Sequence, residues 1–284
     1  MKTKALVPFL AITFGLTWGI AAVLIFFTDQ VVAIFGEINS SNPLYILAVY
    51  SPAFAGIFLV WRHYGLKGLG SFFRRLTLWH MTRSWWVFLL LGIPAIKYLG
   101  AALNGTLSEF PFSPWYLVLP AIAHYFFLGP LEEFGWRGVA LPLLQRKMAP
   151  IWAGLIVGIT VAIWHIPGFL LGGGVVYGSW DIVPFFAGVV AIYVILTPMF
   201  NSARGSLLIA YLFHFQMMNP IIPDGQPWEN YIFAIVAVVI VVLNRRTMFK
   251  KGTGVIEVLM PEHESETNYQ ADKAARKSLS ATAG

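Results

Sequence analysis

Apolar residues fall into runs separated by short polar loops, and the runs span 5–27, 44–61, 85–103, 115–145, 149–166, 182–200, 207–218 and 231–243. A helix needs about 20 apolar residues to cross a ~30 Å hydrocarbon core. Most of these stretches meet that length. The pattern predicts an all-α, polytopic membrane protein of about eight transmembrane helices, the seventh and eighth of them short. The fourth run is too long for one plain span, and Pro120 and the Gly129-Pro130 pair are the places for a break or kink, because proline cannot donate the helical hydrogen bond. The segment 66–81 mixes Phe72, Phe73, Leu76, Leu78 and Trp79 with Arg74 and Arg75, a composition suited to a helix on the membrane interface. A membrane domain over 1–258 is followed by a polar stretch, 259–284, with too few apolar residues to bury a core. We read it as a disordered tail.

Composition adds to this picture. The chain is 58% hydrophobic and 11% charged, with a mean hydropathy of +0.71, which excludes an ordinary soluble domain. Positive side chains stay on the cytoplasmic side during insertion. Lys2 and Lys4, then Arg62, Lys67, Arg74, Arg75 and Arg83, then Arg146 and Lys147, then Arg204, then Arg245, Arg246, Lys250 and Lys251 occupy the termini and alternate loops. The intervening loops hold only acids: Asp29, Glu37, Glu109, Asp181, Asp224 and Glu229. Both termini are therefore expected in the cytoplasm and the protein in the cell membrane. The net charge of +6 reports this topology and an affinity for anionic lipid. It does not report nucleic acid, for which no recognition motif accompanies the scattered basic residues. The absence of cysteine removes disulfides and thiolate chemistry. Lys2 and Lys4 precede an apolar run too long for a signal peptide, so an uncleaved anchor is expected.

Charges inside such a sequence are costly and mark function. Glu132, Glu133 and Arg137 stand together in the fourth run. Glu133 and Arg137 are four residues apart, on one helix face, where an ion pair makes burial less costly. Glu132, turned about 100° away by the helical period, is left over as a candidate base. His165 and His214 are the further polar residues within apolar runs. Measured from the Arg146-Lys147 turn at ~1.5 Å per residue, Glu132 and His165 both lie about 20 Å deep. His214, counted from Arg204, lies roughly 15 Å deep. A carboxylate and two imidazoles from helices four, five and seven, meeting at one level, are enough to activate a water and hold a polarised carbonyl. His124 and Lys97 are read as structural, Lys97 by snorkelling outward. The Gly172-Gly173-Gly174 run is read as an outer loop.

The order Glu-Glu-x-x-x-Arg at 132–137, Trp-His-x-Pro at 164–167 and Ser-Leu-Leu-x-x-x-x-x-His at 206–214 resembles the CAAX protease and bacteriocin-processing family of intramembrane proteases. The resemblance covers about 116–220. It implies an eight-helix fold that cuts peptide or membrane-protein substrates, with Glu132, His165 and His214 as catalytic residues and Arg137 as the motif arginine. Two positions depart from the family pattern. Val161 stands where a Phe is usual, and Met218 stands where an Asn is usual, with Asn219 one residue later and Gln216 as a spare amide.

The resulting expectation is that Glu132 takes a proton from a water while His165 and His214 stabilise the oxyanion and Glu133 and Arg137 brace the helix. Asn219 is a supporting candidate. No cofactor is implied with certainty: a divalent metal such as zinc, held by Glu132, His165 and His214, is the variant that the family's metalloprotease label points to, although His-Glu-x-x-His is absent. Two other classes stay open. One is a non-catalytic scaffold or immunity factor of the same fold, and the other a small proton-coupled carrier.

Overall fold

The computed structural model describes residues 1–109, 112–171 and 180–260, and these residues form helices and no strand. All eight apolar runs contain helix. The principal helices are α1 (Leu6–Phe26), α2 (Ser51–Phe73), α3 (Arg83–Asn104), α4 (Val118–Leu128), α5 (Pro150–Trp164), α6 (Ile182–Ser202), α7 (Leu207–Met217) and α8 (Trp228–Leu243). Four helical segments are long and apolar enough to cross a membrane: Thr3–Phe26, Arg83–Asn104, Pro150–Leu170 and Ile182–Ser202. Pro43–Val49 and the helix after it, bent by 54°, make a fifth if counted as one span. At 11 and 16 residues α7 and α8 are shorter than a plain crossing requires.

Prolines shape the segment after α4. Pro130 opens a 3-10 turn over Pro130–Glu132, an α turn follows over Glu133–Gly135, a π turn over Trp136–Ala140, and α-helix resumes at Leu141–Gln145. Pro130 has no N–H for the carbonyl of Phe126. The Tyr211 hydroxyl donates to that carbonyl, and the Tyr50 hydroxyl donates to the next one, Phe127, at 3.0 Å. Pro142 likewise leaves the Gly138 carbonyl without its helical donor, and Arg75 Nη1 supplies one at 3.0 Å. The chain thus continues at depth with its freed carbonyls satisfied by side chains, as apolar surroundings require.

The packing frames this broken segment. α5 lies along α6, α6 along α8, and α1 along α2. Two glycines face each other where α2 meets the Glu133–Gly135 turn. A Cβ on Gly56 would come within 3.0 Å of the Phe134 carbonyl oxygen, and one on Gly135 would strike the backbone of Pro52. That close approach holds the two glutamates against α2.

At one end of the bundle, loops far apart in sequence lock together. Arg75 is wholly buried there, donating to the carbonyls of Gly205, Gly138 and Val258. Arg146 donates to the carbonyls of Ile256 and Met1, and the Met1 ammonium meets the Tyr64 hydroxyl. Gly65, at φ +65°, breaks α2 before the segment that was read as an interfacial helix. That helix is present, but Phe72 and Arg75 face the protein core. The polar tail begins later than its composition indicates: Leu259 packs against the core and Met260 is buried. Residues 261–284 and the Gly172-Gly173-Gly174 run lie outside the described residues.

Candidate active site

Glu133 joins the charged residues of the first motif to two other helices. Its carboxylate lies 3.8 Å from Arg137 Nη1, one helical turn on, and Glu133 and Arg137 are 1% and 0% exposed. It also accepts the His214 Nδ1–H at 2.9 Å and the Tyr193 hydroxyl at 3.2 Å, both on Oε1. The guanidinium of Arg137 sits 4.0 Å from the centre of the Tyr193 ring and donates to the Tyr193 carbonyl at 3.3 Å. Four side chains from three segments form one buried network. The ion pair read from the i, i+4 spacing is present, and it also grips the imidazole of α7.

Glu132, the last residue of the 3-10 turn, is 4% exposed and points elsewhere. The Trp136 indole lies one turn on, but neither that N–H nor Glu132 Oε2 completes a hydrogen bond within the protein. Glu132, Glu133, His165 and His214 line one cavity of about 960 Å³, shared with Trp164, Phe185, Tyr193, Phe213 and Met218. This volume suits several side chains of an extended peptide. Glu132 lies within electrostatic range of His214, and His214 of His165.

His165 terminates α5. A short helix, Ile166–Leu170, follows at once with Pro167 in its first turn, and the His165 ring turns back so that its Nδ1–H donates to the Val161 carbonyl at 2.8 Å. The ring is walled by Trp164 and Phe185, with centroids 4.7 and 5.3 Å away. Trp164 is itself fixed, its indole N–H donating to Thr17 Oγ1 of α1 at 2.7 Å. With Nδ1 carrying a proton, Nε2 is the acceptor whenever the ring is neutral.

The third motif differs most from the family pattern. α7 ends at Met217, so Asn219 stands beyond the helix, donating to Gln216 Oε1 at 3.0 Å and accepting from the Ile221 N–H at 3.2 Å. It lines the cavity but spends its amide locally. Gln216 turns to the Leu89 carbonyl of α3, at 3.2 Å. Met218 occupies the wall beside Gly129, where an added Cβ would strike the Met218 sulfur and come within 2.9 Å of His214 Nε2. Gly129→Ala is therefore expected to push His214 off its position and lower turnover roughly 10-fold or more, since misplacement of a reacting group by about 1 Å is enough for such losses. Steady-state cleavage rates on folded protein check this.

Sequence reasoning missed Tyr193. A tyrosine in an apolar helix reads as a packing residue, and nothing in its spacing points to Glu133 or Arg137. Lys97, read as snorkelling outward, is instead 7% exposed and faces inward to Glu229. Glu229, counted with the acidic loops, lies buried in the first turn of α8. His124 also lines the cavity.

A metal held by Glu132, His165 and His214 fits these residues poorly. Engagement of Nδ1 on both imidazoles would leave Nε2 able to ligate, but among the described residues no group of three His, Cys, Asp or Glu side chains is gathered as a metal-binding set.

A helical membrane bundle that gathers buried carboxylates and partly buried imidazoles around one peptide-sized cavity has the build of an intramembrane hydrolase. Residues 113–218 match the family of type II CAAX prenyl endopeptidases, Rce1-like. The chain is also 28% identical over 183 residues to CAAX prenyl protease 2 of Methanococcus maripaludis, a match covering 58% of this chain and 67% of that protein. The chain is thus similar to CAAX endopeptidases over its central segment, and it is a multi-pass membrane protease.

Proposed function

We propose that the protein cleaves peptide bonds with a water activated by Glu132. The observation that carries this reading is the Glu132 carboxylate, buried on the cavity wall with Oε2 unclaimed by any protein donor and with no Lys or Arg cation beside it among the described residues, whereas Glu133 accepts from His214 and Tyr193 on Oε1 and faces Arg137 with Oε2. A carboxylate so placed is an acceptor for a water proton. His165, whose Nδ1–H is held by Val161, offers Nε2 to the same water and orients it, a role distinct from the oxyanion contact expected from the motif alone. Oxyanion stabilisation then falls to His214, whose protonated ring presents Nε2–H while Glu133 holds Nδ1–H and balances its charge. Attack forms the tetrahedral intermediate, and the proton taken by Glu132 passes to the leaving amine as the C–N bond breaks.

The relative's name puts a prenylated CAAX tail among the candidate substrates, and the apolar cavity wall suits such a chain. Maturation of other membrane-proximal peptides and envelope-protein turnover share the chemistry. We assign the end carrying Met1, Arg75, Arg146 and Ile256 to the cytoplasm, in line with the basic loops gathered there.

Purified protein in detergent, given prenylated and unprenylated peptides ending in CAAX and an internal control peptide, tests this reading. Cleavage is expected, and a strong chelator is expected to leave the rate unchanged. Loss of activity on chelation with recovery on adding zinc would overturn the metal-free mechanism. No cleavage of any peptide would favour a scaffold of the same fold.

A further inference from the structure

The cavity has a second polar pole that the proposed chemistry does not use. Lys97 of α3 donates from Nζ to the Met217 carbonyl at 3.0 Å and lies 3.4 Å from both carboxylate oxygens of Glu229 in α8. Gln226 Nε2 donates to Glu229 Oε1 at 3.1 Å and holds it in place. One turn along α3, a Cβ on Gly100 would come within 2.8 Å of the Glu229 Cβ, so glycine there lets the two helices close on the pair. Lys97, Met217, Glu229, His214 and Glu132 all line the same cavity.

Met217 is the last residue of α7, three positions after His214. The final carbonyls of a helix have no intrahelical donor and carry the negative end of its dipole, so a cation there satisfies both needs. Lys97 reaches this end from across the cavity. A lysine that served only solubility would snorkel outward. This one has its ammonium drawn inward to a backbone oxygen, with a carboxylate beside it that offsets the cost of the buried charge. Gln216 makes a second tie from α7 to α3.

We propose that Lys97 and Glu229 form a positioning pair for His214: by clamping the end of α7, the pair sets the depth and rotation at which that imidazole meets the substrate carbonyl. The proposal rests on the peptide-cleaving role of His214 given above. Neither residue touches the reacting atoms in this scheme.

The test compares wild type, K97M/E229M, K97R and E132Q, with kcat and KM measured on a cleaved peptide and folding followed by thermal melting. K97M/E229M removes both charges together and leaves no unpaired ion. Its kcat is expected to fall about 10-fold or more with KM within roughly twofold, because binding survives while orientation is lost. K97R, which keeps a cation on the Met217 carbonyl, is expected to retain kcat within about threefold on the same reasoning. Wild-type kcat in folded K97M/E229M, or a K97R as impaired as the double variant, would overturn the proposal. Should K97M/E229M not fold, E229Q carries the test, since it keeps the size of the side chain but loosens Lys97. Lowered kcat at constant KM supports the clamp and an unchanged kcat overturns it. A wild type without activity, or an E132Q protein as active as wild type, would instead remove the proposed function.

Discussion

Glu132→Gln is expected to lower peptide cleavage by about 10³-fold while leaving the melting temperature at or above that of the wild type. The size follows from the role: a positioned general base contributes roughly 10²–10⁴-fold, and the amide, nearly the same shape, cannot accept a proton from water. The unchanged fold follows from the geometry. Glu132 Oε2 makes no hydrogen bond within the protein, so its replacement breaks none there. A neutral amide is also less costly to bury than a carboxylate. The measurement is kcat/KM for one cleaved peptide beside a thermal melt of the same preparation. A variant that keeps within threefold of wild-type cleavage would remove Glu132 from the chemistry. A variant that fails to fold would show a structural role that its missing partners do not reveal.

The residues that lead to this prediction were legible because a bilayer leaves few reasons for a charge. Glu132, His165 and His214 stood out against apolar runs, and a count of rise per residue put them near one depth before any coordinates. The helical class was legible for the same reason. What periodicity did not show was the path of the backbone through 129–145. Two prolines there change the hydrogen-bond register twice, and the cost is met by side chains remote in sequence: Tyr211, Tyr50 and Arg75. A window of hydropathy carries no information about such long-range donors.

The pairing was also only half visible. Spacing identified Glu133 with Arg137, because i, i+4 neighbours are fixed by the helix itself. The grip of Glu133 on His214 and Tyr193 depends on how α6 and α7 pack, which lies beyond local pattern. Lys97 was misread for a related reason. Snorkelling is the default for a lone lysine, and its partner Glu229 lies 132 residues away. Asn219 marks the opposite case. The sequence showed it one position late, and its amide is indeed turned to Gln216, with Met218 on the wall beside Gly129 and His214.

Glu133 gives the second large effect, and it separates bracing from catalysis. Glu133→Gln removes the carboxylate charge 3.8 Å from Arg137 Nη1 and strands a buried guanidinium whose Nη1 and Nε already lack hydrogen-bond partners, its remaining contacts being the Tyr193 ring and carbonyl. Breaking a buried pair from one side costs about 3–5 kcal/mol, so the single variant is expected to melt well below wild type. The double variant E133Q/R137M removes the stranded charge and replaces it with an apolar side chain of similar length. Its melting temperature is expected to recover most of the loss, because neutral packing often equals or exceeds a buried ion pair. Its activity is not. The introduced amide can still accept from His214 Nδ1 but no longer balances a charged ring, and the oxyanion contact weakens, so kcat is expected to stay roughly 10–100-fold below wild type, less than the about 10²–10³-fold lost when such a donor is removed outright. Melting curves and kcat on the same three proteins decide the matter. A stable, fully active E133Q/R137M would reduce Glu133 to a brace and leave His214 to be positioned by the end of α7 alone.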